Sequence, residues 1–255
     1  MKPSELKTGI LYGVGIGPGD PELLTLKAVK ILKQVDVIAV PKSKTEGESL
    51  ALDIVKQAVD LSDKEILELT FPMKKEHDEL IESWKEAKKQ ILKPLKKGRD
   101  VAFITIGDPL FYSTFIYLLE QFTIQNSQFK IKIIPGVSSI NAVSAATQIP
   151  LAKAGERLAI LPATYEQEKI RQTLKDFDTV VLIKVNKVMD KIISILEELD
   201  LKNNAVFVSK AGLPDEKIVT NLDSLKGKKL DYFSMVIVKK KILLLENQIS
   251  KIQRF

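Results

Sequence analysis

Three glycine-containing turns carry the residues of this 255-residue chain that are best suited to chemistry. The first runs from Gly13 to Pro21 with the sequence GVGIGPGDP, directly after an apolar segment. Glycines let a backbone turn tightly and approach a ligand without a Cβ in the way. The dinucleotide-binding pattern Gly-x-Gly-x-x-Gly does not fit, because Pro18 or Asp20 stands where the last glycine should be. Asp20 and Pro21 also suit the start of a helix, so a ligand-binding turn and a structural turn both remain open.

The second turn repeats the design of the first. Its sequence, TIGDPLFYSTF from Thr105 to Phe115, again follows an apolar segment and again contains Gly-Asp-Pro. Asp108 is therefore predicted to cap a helix that begins at Pro109. Ligands of open α/β sheets bind beyond the carboxyl ends of the strands. The first and second turns can therefore border one ligand-binding crevice. Alternatively, each turn only caps its own helix and has no role in binding.

The third turn is Pro135-Gly136, within the sequence IPGVSS that ends at Ser139. Ser138 is a candidate cap for the helix expected after it. That helix is rich in alanine and serine, and such small side chains permit close packing against a neighbouring element or against a ligand. The sequence of this turn alone does not distinguish between the two.

The elements that position these turns follow from the spacing of apolar residues. In the N-terminal half, strands alternate with helices, which is typical of a mostly parallel sheet covered by helices; the strands are expected at 9–15, 37–40, 65–71 and 101–106, and the helices at 21–35, 50–59, 78–97 and 109–122. The polar segment TIQNSQ at 123–128 is the best linker candidate. Beyond it, strands outnumber helices; the strands are expected at 130–134, 157–161, 180–185, 205–209 and 235–239, and the helices at 138–146 and 188–198. The predicted fold is a two-domain α/β protein, with a mostly parallel first domain at 1–123 and a mixed second domain at 129–255.

Composition excludes several kinds of site. The chain has no cysteine, and its single histidine, His77, lies in a polar stretch, so no disulfide and no metal site are expected. The apolar runs are far shorter than the roughly 20 residues that span a bilayer, and the N-terminus lacks a signal-peptide pattern, so the expected location is the cytoplasm.

The net charge of +6 comes from 39 basic residues scattered among 33 acidic ones. Nucleic-acid binding normally uses clustered basic residues, so a basic cleft for an anionic small molecule or a lysine-rich surface fits better.

Together and in this order, the three turns resemble those of the tetrapyrrole methylases. The resemblance covers nearly the whole chain and includes later elements around 181–187 and 209–214. Within the family, the segment 108–115 (DPLFYSTF) and the segment 71–73 (FPM) before the long helix look like the C20-methyltransferase form. Uroporphyrinogen methyltransferases usually have a second glycine where this chain has Ile106.

The resemblance implies a cofactor, a reaction and a set of site residues. It implies S-adenosylmethionine folded in the cleft between the two domains of a protein that is usually a homodimer. It also implies methyl transfer to C20 of a reduced tetrapyrrole, precorrin-2 or cobalt-factor II, in cobalamin biosynthesis. By motif position, the residues expected to line the cofactor site are Pro18, Ile106, Gly107, Asp108, Ser138, Ser139, Lys184 and Ala211. No residue is assigned as the catalytic base, and helix capping remains an alternative role for Asp108.

The substrate implied by the resemblance carries many carboxylates, which basic side chains can pair. Lys42, close to Lys44 after the second strand, and Lys153 are candidates, with a solvated surface charge as the alternative for each. Tyr112 is a further candidate for substrate contact, with core packing as its alternative. Two other functions stay open: a tetrapyrrole methylase for uroporphyrinogen III or a later precorrin, and a basic nucleic-acid-binding protein.

Overall fold

The computed structural model describes residues 8–43, 49–71, 77–123 and 129–241, with the backbone alone for residues 43 and 77–79. Lys44, the pair Pro72-Met73, residues 124–128 of the expected linker and the side chain of His77 therefore lie outside the described residues. The chain divides into two compact units, Met1–Ser139 and Ile140–Phe255. Each unit has its own sheet and its own hydrophobic core, and the all-parallel first sheet and mixed second sheet confirm the α/β fold class that the sequence predicts.

The first unit contains a five-stranded sheet in which every pairing is parallel and the strand order is β3-β2-β4-β1-β5. Its strands are β1 (Ile10–Gly15), β2 (Val37–Ser43), β3 (Glu65–Phe71), β4 (Val101–Thr105) and β5 (Lys130–Ile134). Its helices are α1 (Leu26–Gln34), α2 (Leu50–Ala58), α3 (His77–Lys96) and α4 (Phe115–Thr123). α1 and α2 pack on one face of the sheet, and α3 and α4 pack on the other. A parallel sheet covered on both faces needs strands that are apolar throughout, and β4 (VAFIT) is buried along its whole length.

The boundary between the units differs from the one that the sequence predicts. The expected second domain begins at residue 129 and so includes β5. In the structure β5 belongs to the first unit, because it pairs with β1 in a register that runs from Ile10–Lys130 to Val14–Ile134. Pairing with the first strand of the chain is a long-range contact that leaves no local signal, whereas the polar segment before β5 looks like a linker.

The second unit contains a mixed five-stranded sheet with the order β6-β7-β10-β8-β9. β6 and β7 are parallel, and β10 runs antiparallel to both β7 and β8. The helix α5 (Ser139–Thr147) packs on one face of this sheet, and two later helices pack on the other. The remaining elements are β6 (Leu158–Pro162), α6 (Gln167–Asp176), β7 (Thr179–Ile183), α7 (Met189–Glu198), β8 (Ala205–Ser209), β9 (Lys217–Val219) and β10 (Ser234–Lys239).

Apart from α4, which begins at Phe115, two helices differ from the expectation drawn from apolar spacing. The single helix expected at 21–35 is a short 3-10 turn followed by α1, because Leu24 is extended and the hydroxyl of Thr25 accepts a hydrogen bond from the N–H of Ala28 at 3.1 Å and so caps a new helix. α6 was not expected, since only Ile170 and Leu174 on its surface are buried. Two apolar residues one turn apart are too few to predict a helix.

Candidate active site

The three glycine turns leave the first sheet at the same edge. They follow β1, β4 and β5, which are adjacent parallel strands in the order β4-β1-β5. Backbone hydrogen bonds join the first two turns: the N–H of Ile16 donates to the carbonyl of Thr105 at 3.0 Å, and the N–H of Gly107 donates to the carbonyl of Gly17 at 2.7 Å. The structure therefore brings together three segments that are far apart in sequence.

Two glycines in these turns are required by the closeness of neighbouring backbone. A Cβ on Gly15 would lie 2.5 Å from the carbonyl oxygen of Gly107 and 2.6 Å from the nitrogen of Gly136. A Cβ on Gly136 would lie 2.2 Å from the same carbonyl oxygen. Side-chain carbons do not approach backbone atoms this closely, so at these two positions the glycines permit the turns to pack against one another.

Asp108 links the second turn to the third. Its Oδ1 accepts a hydrogen bond from the N–H of Leu110 at 2.9 Å, and its Oδ2 accepts one from the N–H of Gly136 at 3.1 Å. The prediction that Asp108 caps a helix beginning at Pro109 is wrong, because α4 begins only at Phe115. The carboxylate satisfies one local N–H and one distant N–H instead. Asp20, by contrast, caps the turn that follows it, as expected, by accepting from the N–H of Glu22 at 2.8 Å.

The chain between Asp108 and α4 forms an exposed apolar loop. Leu110, Phe111 and Tyr112 have 50%, 37% and 46% of their surface exposed, so Tyr112 does not pack in the core. Tyr112 also has a left-handed backbone with a φ of 51°. Such a conformation is uncommon for a bulky residue and is often found at functional sites.

A buried serine holds this loop in place. The Oγ of Ser113 lies 3.1 Å from the Oγ1 of Thr105 and accepts a hydrogen bond from the N–H of Phe115 at 3.1 Å. The loop is therefore tied at one end to β4 and at the other to the first turn of α4. Sequence reasoning missed Ser113, because a serine among turn residues gives no sign that its hydroxyl will be buried against a strand.

The remaining predicted cofactor residues of the first unit surround this edge. Ser139 is the first residue of α5, and its nitrogen lies 4.0 Å from the position that a Cβ on Gly107 would occupy. Ser138, Ser139 and Ile106 are half-buried, and Pro18 is buried. Small polar side chains therefore lie beside an apolar residue at this edge.

Lys184 and Ala211 lie in the second unit, at a single edge of its sheet. Lys184 follows β7 and Ala211 lies just beyond β8, and because both strands are antiparallel to β10 they run in the same direction. Lys184 has a left-handed backbone with a φ of 59°. Ala211 is 8% exposed and packs with the apolar residues of the α5 face.

The two lysines predicted to pair with substrate carboxylates have different surroundings. The Nζ of Lys42 lies 3.0 Å from the Oε2 of Glu68 on the neighbouring strand β3, so its charge already has a partner. Lys153 is exposed, and its backbone N–H donates to the Oε2 of Glu156 at 3.1 Å. Lys153 thus keeps its ammonium group at the surface, in a loop fixed by a backbone contact.

The described residues contain neither a cluster of metal ligands nor a membrane-spanning helix. No three His, Asp or Glu side chains among them stand close enough together to hold a metal ion. None of the helices in the described ranges has the length and apolar character that crossing a bilayer requires.

Comparison with known proteins identifies the class to which this fold and this set of turns belong. The family model of the Tetrapyrrole (Corrin/Porphyrin) Methylases matches residues 10–226, and the chain belongs to this family. The match spans all three glycine turns as well as both edges described above.

Two curated relatives align with almost the full chain. The probable cobalt-precorrin-2 C(20)-methyltransferase of Methanocaldococcus jannaschii is 40% identical over 90% of this chain and 96% of its own length. The cobalt-precorrin-2 C(20)-methyltransferase of Salmonella typhimurium is 33% identical over 91% of this chain and 97% of its own length.

A solved structure shares the fold. The uroporphyrin-III C-methyltransferase of Thermus thermophilus, crystallised with S-adenyl homocysteine, superimposes with a TM-score of 0.65. It covers 91% of this chain and 98% of that one at 22% identity. At this level of identity the likeness concerns the fold.

Proposed function

We propose that this chain is an S-adenosylmethionine-dependent methyltransferase that methylates C20 of precorrin-2 or of its cobalt form, cobalt-factor II, in cobalamin biosynthesis. The observation that carries the proposal is the 40% identity, over 90% of the chain, to a relative named for this reaction. The segment DPLFYSTF after Gly107 supports the same branch of the family. We further propose that the enzyme is a cytoplasmic homodimer, which static light scattering on the purified protein tests.

The chemistry of the glycine-turn edge fits the proposed methyl donor. S-adenosylmethionine has a carboxylate, an amine and hydroxyl groups beside an adenine ring, and the edge offers the hydroxyl groups of Ser138 and Ser139 beside the apolar Ile106. When bound, S-adenosylmethionine supplies a methyl group that is already activated on a sulfonium, so the protein needs no covalent intermediate. Asp108 would contribute by keeping two turns in register. We also propose Lys184 and Ala211, at the edge of the second sheet, as cofactor-binding residues.

The exposed loop after Asp108 is the proposed contact for the tetrapyrrole. Its three apolar side chains, Leu110, Phe111 and Tyr112, offer a surface suited to a large conjugated ring. Lys153 would pair with a carboxylate arm of the substrate, and Lys42 would do so by exchanging its present partner Glu68. The protein's part in the reaction is to align donor and acceptor atoms and to exclude water, which contributes about 7–11 kcal/mol in favourable intramolecular reactions.

A methyl-transfer assay with three substrates tests the proposal. The purified chain is incubated anaerobically with S-adenosylmethionine and, in parallel, with precorrin-2, cobalt-factor II and uroporphyrinogen III, and product mass is followed. One added methyl group on either of the first two supports C20 methylation, and the preferred substrate shows whether cobalt is already present. Methylation of uroporphyrinogen III alone would overturn the C20 assignment, and an absence of both methyl transfer and S-adenosylhomocysteine binding would overturn the enzyme assignment.

A further inference from the structure

A small cavity lies on the α1 face of the first unit, between α1 and the edge strand β5. It has a volume of about 280 Å³ and is lined by Tyr12, Lys27, Ile31, Lys132, Ile133 and Ile134. Tyr12 and Lys132 stand directly opposite each other in the β1–β5 register. Lys27 and Ile31 are four residues apart on α1 and so lie on one face of that helix. All of these residues belong to one unit, and none of them is among the residues assigned above to the methyl-transfer site.

Tyr12 is the feature that marks this cavity as a binding site. The residue is only 6% exposed and lines the cavity, and no hydrogen bond of the described residues involves its hydroxyl group. No fully buried polar side-chain atom of these residues lacks a partner, so the hydroxyl is open to the cavity and can donate to a ligand there. Burial, together with the charge of Asp100, raises the pKa of Tyr12, so the hydroxyl remains a hydrogen-bond donor at neutral pH.

Two lysines give the cavity a positive charge. The Nζ of Lys132 lies 5.6 Å from the centre of the Tyr12 ring. Within the described ranges, neither Lys132 nor Lys27 forms an ion pair with a carboxylate. Lys27 also lies in the first turn of α1, where no acidic residue is present. A cation is unfavourable there because the N-terminus of a helix carries partial positive charge. A bound anion would offset both this partial charge and the charges of the two lysines.

We propose that this cavity binds a carboxylate on a short aliphatic chain. The carboxylate would accept a hydrogen bond from the hydroxyl of Tyr12 and pair with Lys27 and Lys132. The aliphatic chain would pack against Ile31 and Ile134, whose side chains lie on the α1 face of the sheet. An isolated inorganic anion would fill the charged end and leave the apolar wall uncovered.

Nuclear magnetic resonance with labelled isoleucine methyl groups tests the proposal on the full chain. Butyrate, acetate and inorganic phosphate are titrated separately at constant ionic strength with chloride as the balancing anion. We expect butyrate to shift the methyl signals of Ile31 and Ile134 in a saturable way, and to bind more tightly than acetate or phosphate. No saturable shift with butyrate, or equal affinity for all three anions, would overturn the proposal.

Matched variants separate this site from general attraction of anions to a basic surface. Tyr12→Phe keeps the ring and removes only the hydroxyl, and Lys132→Gln removes one charge. Each should weaken butyrate binding about tenfold, as expected for the loss of one hydrogen bond or pair to a charged group. Lys130→Gln removes an exposed charge two residues away that does not line the cavity, and it should leave the affinity unchanged. Wild-type affinity in both cavity variants, or an equal loss in the control, would refute the site, and unchanged methyl spectra without ligand show that each variant is folded.

Discussion

Replacing Asp108 with asparagine should remove one of the two hydrogen bonds that this carboxylate accepts. The two carboxylate oxygens of Asp108 accept from the N–H of Leu110 at 2.9 Å and from the N–H of Gly136 at 3.1 Å. An asparagine has one acceptor oxygen, so whichever way its amide is turned, one of the two N–H groups faces another donor. A hydrogen bond to a charged group contributes about 1.5–3 kcal/mol. We therefore expect Asp108→Asn to lower the free energy of unfolding by about 2 kcal/mol.

The chain provides a matched control for this variant in its other Gly-Asp-Pro sequence. Asp20 accepts a single capping hydrogen bond from the N–H of Glu22 at 2.8 Å. Asparagine caps helices as well as aspartate does, so Asp20→Asn should change the free energy of unfolding by less than about 0.5 kcal/mol. Both variants remove one negative charge from the same type of turn, and they differ only in whether a second hydrogen bond is lost.

Urea denaturation and calorimetry with S-adenosylhomocysteine measure the two consequences. If Asp108 positions the turns that hold the cofactor, Asp108→Asn should weaken S-adenosylhomocysteine binding about tenfold, which corresponds to roughly 1.4 kcal/mol. Asp20→Asn should bind like the wild type. Equal stability of the two variants would refute the role of Asp108 as a link between turns, whereas lower stability with unchanged binding would retain that link and separate it from the cofactor site.

Three further predictions follow from other features. Gly136→Ala should lower the free energy of unfolding by at least about 2 kcal/mol in urea denaturation, because its Cβ would lie 2.2 Å from a carbonyl oxygen; Gly155→Ala, whose Cβ would meet nothing within 4 Å, is the control, and equal effects would contradict the packing argument. Tyr112→Asn, which suits a left-handed backbone, should raise the KM for the tetrapyrrole about tenfold while S-adenosylhomocysteine affinity stays constant, and an unchanged KM would remove Tyr112 from the substrate contact. Two neighbouring lysines lower the pKa of Asp223 from 3.8 to about 2, so its stabilising effect should be complete above pH 3.8 and be lost as pH falls through about 2; carboxyl NMR titration checks this pKa, and an ordinary value would contradict it.

The strands and most helices could be predicted from sequence because their signals are local. β4 is five consecutive buried residues, and α2, expected at 50–59, is observed at Leu50–Ala58. The apolar side chains of such elements decide both their conformation and which face is buried. The closeness of the first two turns also followed from a general rule, since ligands of open α/β sheets bind beyond the carboxyl ends of the strands. The third turn was connected to the same site only through the family resemblance.

The details of the site that sequence reasoning missed depend on partners outside the local pattern. Asp108 has the sequence environment of a helix cap, but the N–H of Gly136 competes for its carboxylate. Ser113 stands among turn residues, but the hydroxyl of Thr105 draws it into the interior. The start of α4 moves to Phe115 as a result. No local pattern shows such partners, because they meet only after β4, β1 and β5 have paired.

The pairing of β1 with β5 also has a consequence for how the protein is made. The first strand of the chain and the last strand of the first unit are direct neighbours, and Gly15 and Gly136 touch only when both are in place. Loops that close over such long stretches of chain form slowly, and synthesis proceeds from the N-terminus. One edge of β1 therefore stays unpaired in the nascent first unit until β5 has left the ribosome. The three turns can meet only once β5 has been synthesised, so a ligand of this edge has no complete site to bind before then and stabilises the finished unit.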